Sequence, residues 1–256
     1  MLEEALRERL AEREILLMTH IVLGYPSFED SLALVESMVE AGVDLMELQI
    51  PFSEPIADGP VILHANQCSL QAGARVERCL RFAEEVTGRF DIPFLVMSYY
   101  NILFKLGVGD FARTLSSAGL RGAIVPDLPP EEADEYLSAM AAAGLDPIFI
   151  FSPNTTDARM AAIAEHTRGF VYCVARKGVT GAETDFSAAL DAYLARCRAA
   201  TPLPIALGFG VKARSDVDAL RGKVDIAVIG SETIRVMQDR GVEAVRDFIA
   251  GLRRGG

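Results

Sequence analysis

Eight short apolar runs, separated by amphipathic stretches, are the feature that most constrains what these 256 residues can fold into. They are ILLMTHIVL (15–23), VDLMELQI (43–50), IPFLVMSYY (92–100), GAIVPDL (122–128), PIFIFS (147–152), GFVYCVA (169–175), LPIALGFG (203–210) and IAVIGS (226–231). Continuous apolar runs, as opposed to alternating ones, mark strands buried on both faces, the condition of a parallel sheet covered by helices. The stretches between them, such as FEDSLALVESMVEAG, EEADEYLSAMAAAG and FSAALDAYLARCRAA, carry helical periodicity. Several close on an Ala-Gly pair, at Gly42, Gly119 and Gly144, where left-handed glycine ends a helix and turns the chain back into the sheet. Eight β/α units in about 250 residues predict an α/β protein, a (β/α)8 TIM barrel, as a single domain over 1–256. A doubly wound open sheet is the competing architecture, but no G-x-G-x-x-G follows the first strand. An extra helix over 2–12 precedes the first strand and is expected to cover the bottom of the barrel.

Composition narrows the partners. The 36 acidic against 25 basic residues give a net charge of −11, and the basic residues are scattered, which argues against nucleic acid and anionic membranes. The N-terminal MLEEALRERLAERE has neither the apolar core of a signal peptide nor the bias of a transit peptide, and no apolar run is as long as a membrane span. A cytoplasmic location is expected. Cys68, Cys79, Cys173 and Cys197 show no C-x-x-C spacing and read as reduced structural thiols. With only three separated histidines, no metal site is expected.

A barrel of this kind puts its active site at the C-terminal ends of the strands, often with a phosphate held by the loops after strands seven and eight. The seventh run ends in GFG (208–210), the eighth in GS (230–231), and the sixth runs on into KGVTGAE, with Thr180 and Gly181. Glycine at a strand end is common turn chemistry. Three such ends at one corner predict a phosphate held by backbone N–H groups and by the helix that starts after Gly230-Ser231. Arg176, Lys177 and Lys212 are the few cations in these stretches.

The segment ELQIPFSEPIADGP (47–60) holds two carboxylates. Glu47 shares its strand parity with Leu45 and Gln49, while Met46 and Leu48 should face the helices, so Glu47 points into the barrel. Buried there, its pKa rises or it finds a partner. It is either a structural glutamate tied to backbone donors or to Thr19 or Tyr99, or a general acid/base. Asp58, in IADGP, reads by itself as a turn residue before it reads as a catalytic one. Asp127, at the end of the fourth run, is an ordinary strand-to-helix junction as well as a catalytic candidate. His20 is either a core histidine or a pocket residue, and its parity places it high in the barrel.

Taken together, LGYPSFED, AGVDLMELQIPFSEPIADGP, MSYYN, IVPDLPPEE, SPNTT, GFVYCVARKGVTG, LGFGV and IGS resemble the tryptophan synthase alpha subunit along essentially the whole chain. PFS-x-P-x-ADGP and GVTG are the specific segments. The resemblance implies retro-aldol cleavage of indole-3-glycerol phosphate to indole and glyceraldehyde 3-phosphate, without metal or cofactor in this chain. On the matching positions, Glu47 is implied as the acid/base at indole C3 and the glycerol hydroxyl, and Asp58 as the carboxylate on the indole N–H. Thr180 is implied to close toward Asp58. Gly181, Phe209, Gly210, Gly230 and Ser231 are implied to bind phosphate, and Ile62, Tyr172 and Phe209 to line the indole pocket, with His20 and Tyr99 also expected at the substrate. A PLP-dependent tryptophan synthase beta subunit is the implied partner in an alpha2-beta2 complex, reached through residues 54–60 and the GVTG loop. The chain departs from the common pattern at Gln49 (usually Gly), Glu54 (Asp), Ile102 (Pro), Ala175 (Ser), Glu232 (Ala) and His20 (often aromatic). Gln49, Glu54 and Ile102 are expected near the partner's surface, and His20 and Gln49 around the indole. The competing functions are a catalytically weak allosteric subunit for the beta chain, and another phosphate-sugar aldolase or isomerase.

Overall fold

The computed structural model describes residues 1–175, 183–208 and 210–253. Its strands are β1 (Leu16–Val22), β2 (Leu45–Gln49), β3 (Phe94–Met97), β4 (Gly122–Ile124), β5 (Asp146–Ile148), β6 (Ile150–Phe151), β7 (Val171–Val174), β8 (Ile205–Gly208) and β9 (Ile226–Ile229). All pair in parallel, in the order β5-β4-β3-β2-β1-β9-β8-β7-β6. Nine strands stand where the sequence predicts eight because the fifth run divides at Phe149, its first part pairing with β4 and its second with β7. Pro147, in the first part, has no N–H to give to a ladder, which removes one bond next to the break. The two ends of the strand order are therefore consecutive in the chain. Backbone bonds from Arg168 N–H to the Pro147 carbonyl (2.9 Å) and from Tyr172 N–H to the Phe149 carbonyl (3.1 Å) bridge the seam. The result is a nearly closed (β/α)8 barrel.

Twelve α-helices lie among the described residues, more than one per strand. Pairs of helices follow β2 (Pro60–Gln71 and Val76–Arg89), β3 (Tyr100–Leu106 and Val108–Ser117) and β9 (Ser231–Arg240 and Val242–Arg253). Glycines 42, 119 and 144 carry positive φ at helix ends, as expected. All four cysteines are free thiols, three of them buried.

Strand alternation divides the apolar side chains into two cores. Leu17, Met46, Leu48, Val96 and Leu207 pack outward against the helices, whereas Met18, Leu45, Leu95, Ile148 and Val228 fill the barrel. The helix Leu2–Glu12 closes the bottom, burying Leu2 and Leu6 in that inner core, which contributes roughly 3–6 kcal/mol for two leucines. Leu2 N–H, one of the donors a helix start leaves open, bonds Oδ2 of Asp146 at 3.1 Å. A Cβ on Gly169 would stand 2.8 Å from Leu2 Cδ2, so a side chain there would push the plug out. With the bottom sealed, only the opposite end of the barrel is open to a ligand.

Candidate active site

His20 on β1 and Glu47 on β2 are register partners, and alternation sends both inward above the layer of Met18, Leu45 and Leu95. Glu47 is only 3 % exposed and His20 4 %. A carboxylate in such surroundings needs a partner. The partner is His20, whose Nδ1 stands 3.2 Å from Glu47 Oε1. The candidates read from the sequence, Thr19 and Tyr99, do not fill that role, and Asp58 is held elsewhere.

Asp58 is pinned by two side chains on its Oδ2. Gln49 donates from Nε2 at 2.6 Å and the Tyr99 hydroxyl donates at 3.2 Å, while that hydroxyl accepts the Ala57 N–H at 3.2 Å. Phe52 stacks on Tyr99 with ring centres 5.1 Å apart, and its N–H bonds Oδ1 of Asn66 at 2.9 Å. The turn chemistry of IADGP is real, with Asp58 N–H on the Pro55 carbonyl at 3.0 Å, but these bonds aim the Asp58 side chain inward. Phe52 and Asn66 are the members the sequence left unnoticed. A buried Asn in the first turns of the helix Pro60–Gln71 was the available signal.

The electrostatics follow from the packing. Burial works against a charged His20, but the Glu47 carboxylate, with Asp58 and Gln49, outweighs it and raises the imidazole above its ordinary pKa. Burial raises Asp58 above the usual carboxylate range, and Glu47 adds to this, against His20, Gln49 and Tyr99, which favour the anion. The site therefore sets an imidazole that favours its protonated form beside two acidic side chains. Glu47 Oε2, His20 Nε2 and Gln49 Oε1 are buried and find no hydrogen-bond partner among the described residues.

Around this group the structure gathers other expected positions. A Cβ built on Gly230 would stand 3.8 Å from both His20 Cβ and Ile62 Cδ1, so these three residues meet along one edge. On β7, Tyr172 lies over Gly208, where a Cβ would come within 3.3 Å of its ring, and burial with both carboxylates nearby raises its phenol well above the ordinary value. Gly230 and Ser231 open the helix Ser231–Arg240, and Gly210 follows β8 with φ +80°. Glu232 sits in the first turn of that helix, its carboxylate drawn to Arg235 Nη1 at 3.0 Å. Thr180, Gly181 and Phe209, with Arg176 and Lys177, lie outside the described residues.

Gln49 is fully buried against Asp58, within the group expected around the indole, and Ile102 is 8 % exposed in the outer core, so neither side chain reaches the surface of this chain. A helix turns about 100° per residue, so with Ile102 turned inward Phe104 is the large apolar side chain that this helix exposes, at 71 %. Glu54 is exposed, as expected. Asp127 serves the junction: its Oδ1 accepts the Tyr100 N–H at 2.9 Å, capping the helix Tyr100–Leu106.

Two carboxylates at the mouth of a sealed barrel suit acid/base chemistry on a small substrate, and comparison with known proteins says which. Residues 6–250 match the family model of the tryptophan synthase alpha chain. The chain belongs to the tryptophan synthase alpha chain family. A tryptophan synthase alpha chain from Syntrophotalea carbinolica is 63 % identical over 253 residues, covering 99 % of this chain and all of the relative. The crystal structure of tryptophan synthase from M. tuberculosis in its aminoacrylate-bound form superposes with a TM-score of 0.89 at 31 % identity, covering 98 % of this chain and 97 % of that one. The tryptophan synthase subunit alpha of Legionella pneumophila gives a TM-score of 0.90 at 28 % identity over 99 % and 97 %. As a tryptophan synthase alpha chain, it is a lyase that cleaves indole-3-glycerol phosphate in tryptophan biosynthesis. Among the described residues no helix is long and apolar enough to cross a membrane.

Proposed function

We propose that Glu47 and Asp58 divide the reaction of this lyase between them. Glu47 donates a proton to C3 of the indole ring, which leaves a positively charged indolenine with the charge centred on the ring nitrogen. Asp58 accepts the indole N–H and stabilises that charge. Removal of the proton from the adjacent glycerol hydroxyl, again by Glu47, lets the C–C bond break: its electrons return to the ring, and the hydroxyl carbon becomes the aldehyde of glyceraldehyde 3-phosphate. One proton enters and one leaves, so no external acid, base or redox partner is needed. The observation that carries this reading is the pair of inward carboxylates at one barrel mouth, each held on one oxygen by a different partner, with Glu47 Oε2 uncommitted among the described residues.

Ile62 and Tyr172 would line the indole, with Tyr99 holding the loop that carries Asp58, and His20 beside them. Gly210, Gly230 and Ser231 would take the phosphate through backbone N–H groups and the helix N-terminus, together with Gly181 and Phe209, and Thr180 would close on Asp58. The partner is a PLP-containing beta subunit, in an alpha2-beta2 complex in the cytoplasm, to which indole is passed. PLP serves the partner's chemistry, and this chain uses none. Ile56 (80 % exposed), on the loop after β2, and Phe104 (71 %), on the helix after the neighbouring β3, support a docking surface on the open face of the barrel. The test is indole release by Asp58→Asn, which keeps the shape and loses the charge. A fall of about 10²–10³-fold in kcat with the fold intact is expected, and activity within a few-fold of wild type would refute the role.

A further inference from the structure

The contact between His20 and Glu47 goes further than a shared pocket. A glutamate has three rotatable side-chain bonds, and an apolar barrel offers little to hold its carboxylate in one orientation. Here one oxygen is held: Oε1 faces Nδ1 of His20 at 3.2 Å, across two strands in register. The other, Oε2, is buried and has no partner among the described residues. We infer that His20 is a positioning residue for Glu47, binding Oε1 through Nδ1–H so that Oε2 alone reaches the reacting atoms. This rests on the acid/base role proposed for Glu47.

The chemistry explains why a histidine suits the place. When Oε2 gives its proton to C3, a full negative charge appears on a carboxylate walled by apolar side chains. An N–H already aimed at Oε1 stabilises that charge without reorganisation. When the carboxylate takes the hydroxyl proton, the charge disappears and the same bond weakens without moving. An aromatic ring of similar size would fill the volume and supply none of this. The groups facing the imidazole are the Glu47 carboxylate across β2, the Asp58 carboxylate on the following loop and the Gln49 amide. From β9 and the two flanking helices come uncharged neighbours, Gly230, Ile62 and Thr233, whose hydroxyl bonds the His20 carbonyl at 3.5 Å. Both charged neighbours are acidic, so His20 keeps its proton to a higher pH than a free imidazole. As pH rises through that raised value the ring loses its charge, and the support it gives Glu47 weakens.

The experiment compares His20→Phe, His20→Asn and Glu47→Gln with the wild type, in steady-state indole release from indole-3-glycerol phosphate across pH, with circular dichroism on each. His20→Phe should lose about 10–100-fold in kcat, the weight of a hydrogen bond to a charged group, with little change in KM. His20→Asn keeps an N–H donor near Oε1 and should recover much of that loss, but without the alkaline fall in kcat expected of the wild type. If His20→Phe fails to fold, the pH profile of His20→Asn decides. Wild-type kcat and pH profile in His20→Phe, or an alkaline limb retained in His20→Asn, would overturn the positioning role. So would a rise in KM at constant kcat, which marks a substrate contact. Glu47→Gln is the control: if it stays active, the acid/base assignment itself fails, whatever the His20 variants do.

Discussion

Two buried carboxylates, only three positions apart, are treated in opposite ways. Asp44 precedes β2 at the bottom of the barrel and is 0 % exposed, and Glu47 lies within β2 near the mouth at 3 %. Asp44 is saturated: Oδ2 takes the Leu17 N–H at 2.7 Å and Arg253, and Oδ1 takes Arg13. Glu47 has one histidine on one oxygen. Desolvation is expensive for both, and a site built only for stability would satisfy every lone pair. The bottom gives both oxygens donors, three in all, and the mouth gives one oxygen a single partner. An under-bonded carboxylate beside an imidazole is the arrangement of a group that must exchange a proton, because a fully bonded anion has no lone pair to offer.

Changing the saturated member should cost the fold and spare the chemistry. Asp44→Ala strands two arginines that reach partly to solvent, and should lose about 2–4 kcal/mol of stability, less than a fully buried pair. Thermal denaturation should show a midpoint lower by roughly 5–15 °C, while kcat measured well below the transition stays near the wild-type value. At the mouth the effects should move to catalysis. Gln49→Gly removes the bond that favours ionised Asp58, so the Asp58 pKa should rise further. The carboxylate acts as an anion, and the acid-side loss of activity should therefore set in at higher pH, with kcat near neutrality down about tenfold. A pH–rate profile checks both. The smallest effect is expected at Glu232, whose charge sits in the first helical turn where a phosphate would bind. Glu232→Ala should lower KM for indole-3-glycerol phosphate about 2–5-fold, the range of a charge–helix dipole interaction, with kcat unchanged.

The same comparison shows what a sequence can carry. The strands were legible because strands buried on both faces read as continuous apolar runs, and Glu47 was legible because period two fixes its direction once Leu45 is inward. Gln49 has the same parity, and its inward position around the indole was legible for the same reason. The burial of Ile102 was not: only the packed helix decides which face of Tyr100–Leu106 turns inward. Asp58 was not legible from its own neighbourhood, since a turn in IADGP says nothing about where its side chain points. That direction is set by Tyr99, 41 residues along the chain, and by Gln49 on the strand before it. The division of the fifth strand at Phe149 likewise depends on which neighbours the two halves meet.

The most direct test is indole release by purified Glu47→Gln, measured beside its thermal denaturation. Glutamine keeps the size and a hydrogen bond to His20 but cannot shuttle the proton. The prediction is a folded protein with stability within about 1 kcal/mol of wild type and kcat down by about 10³-fold or more. A folded Glu47→Gln variant that releases indole at a rate close to wild type would contradict it.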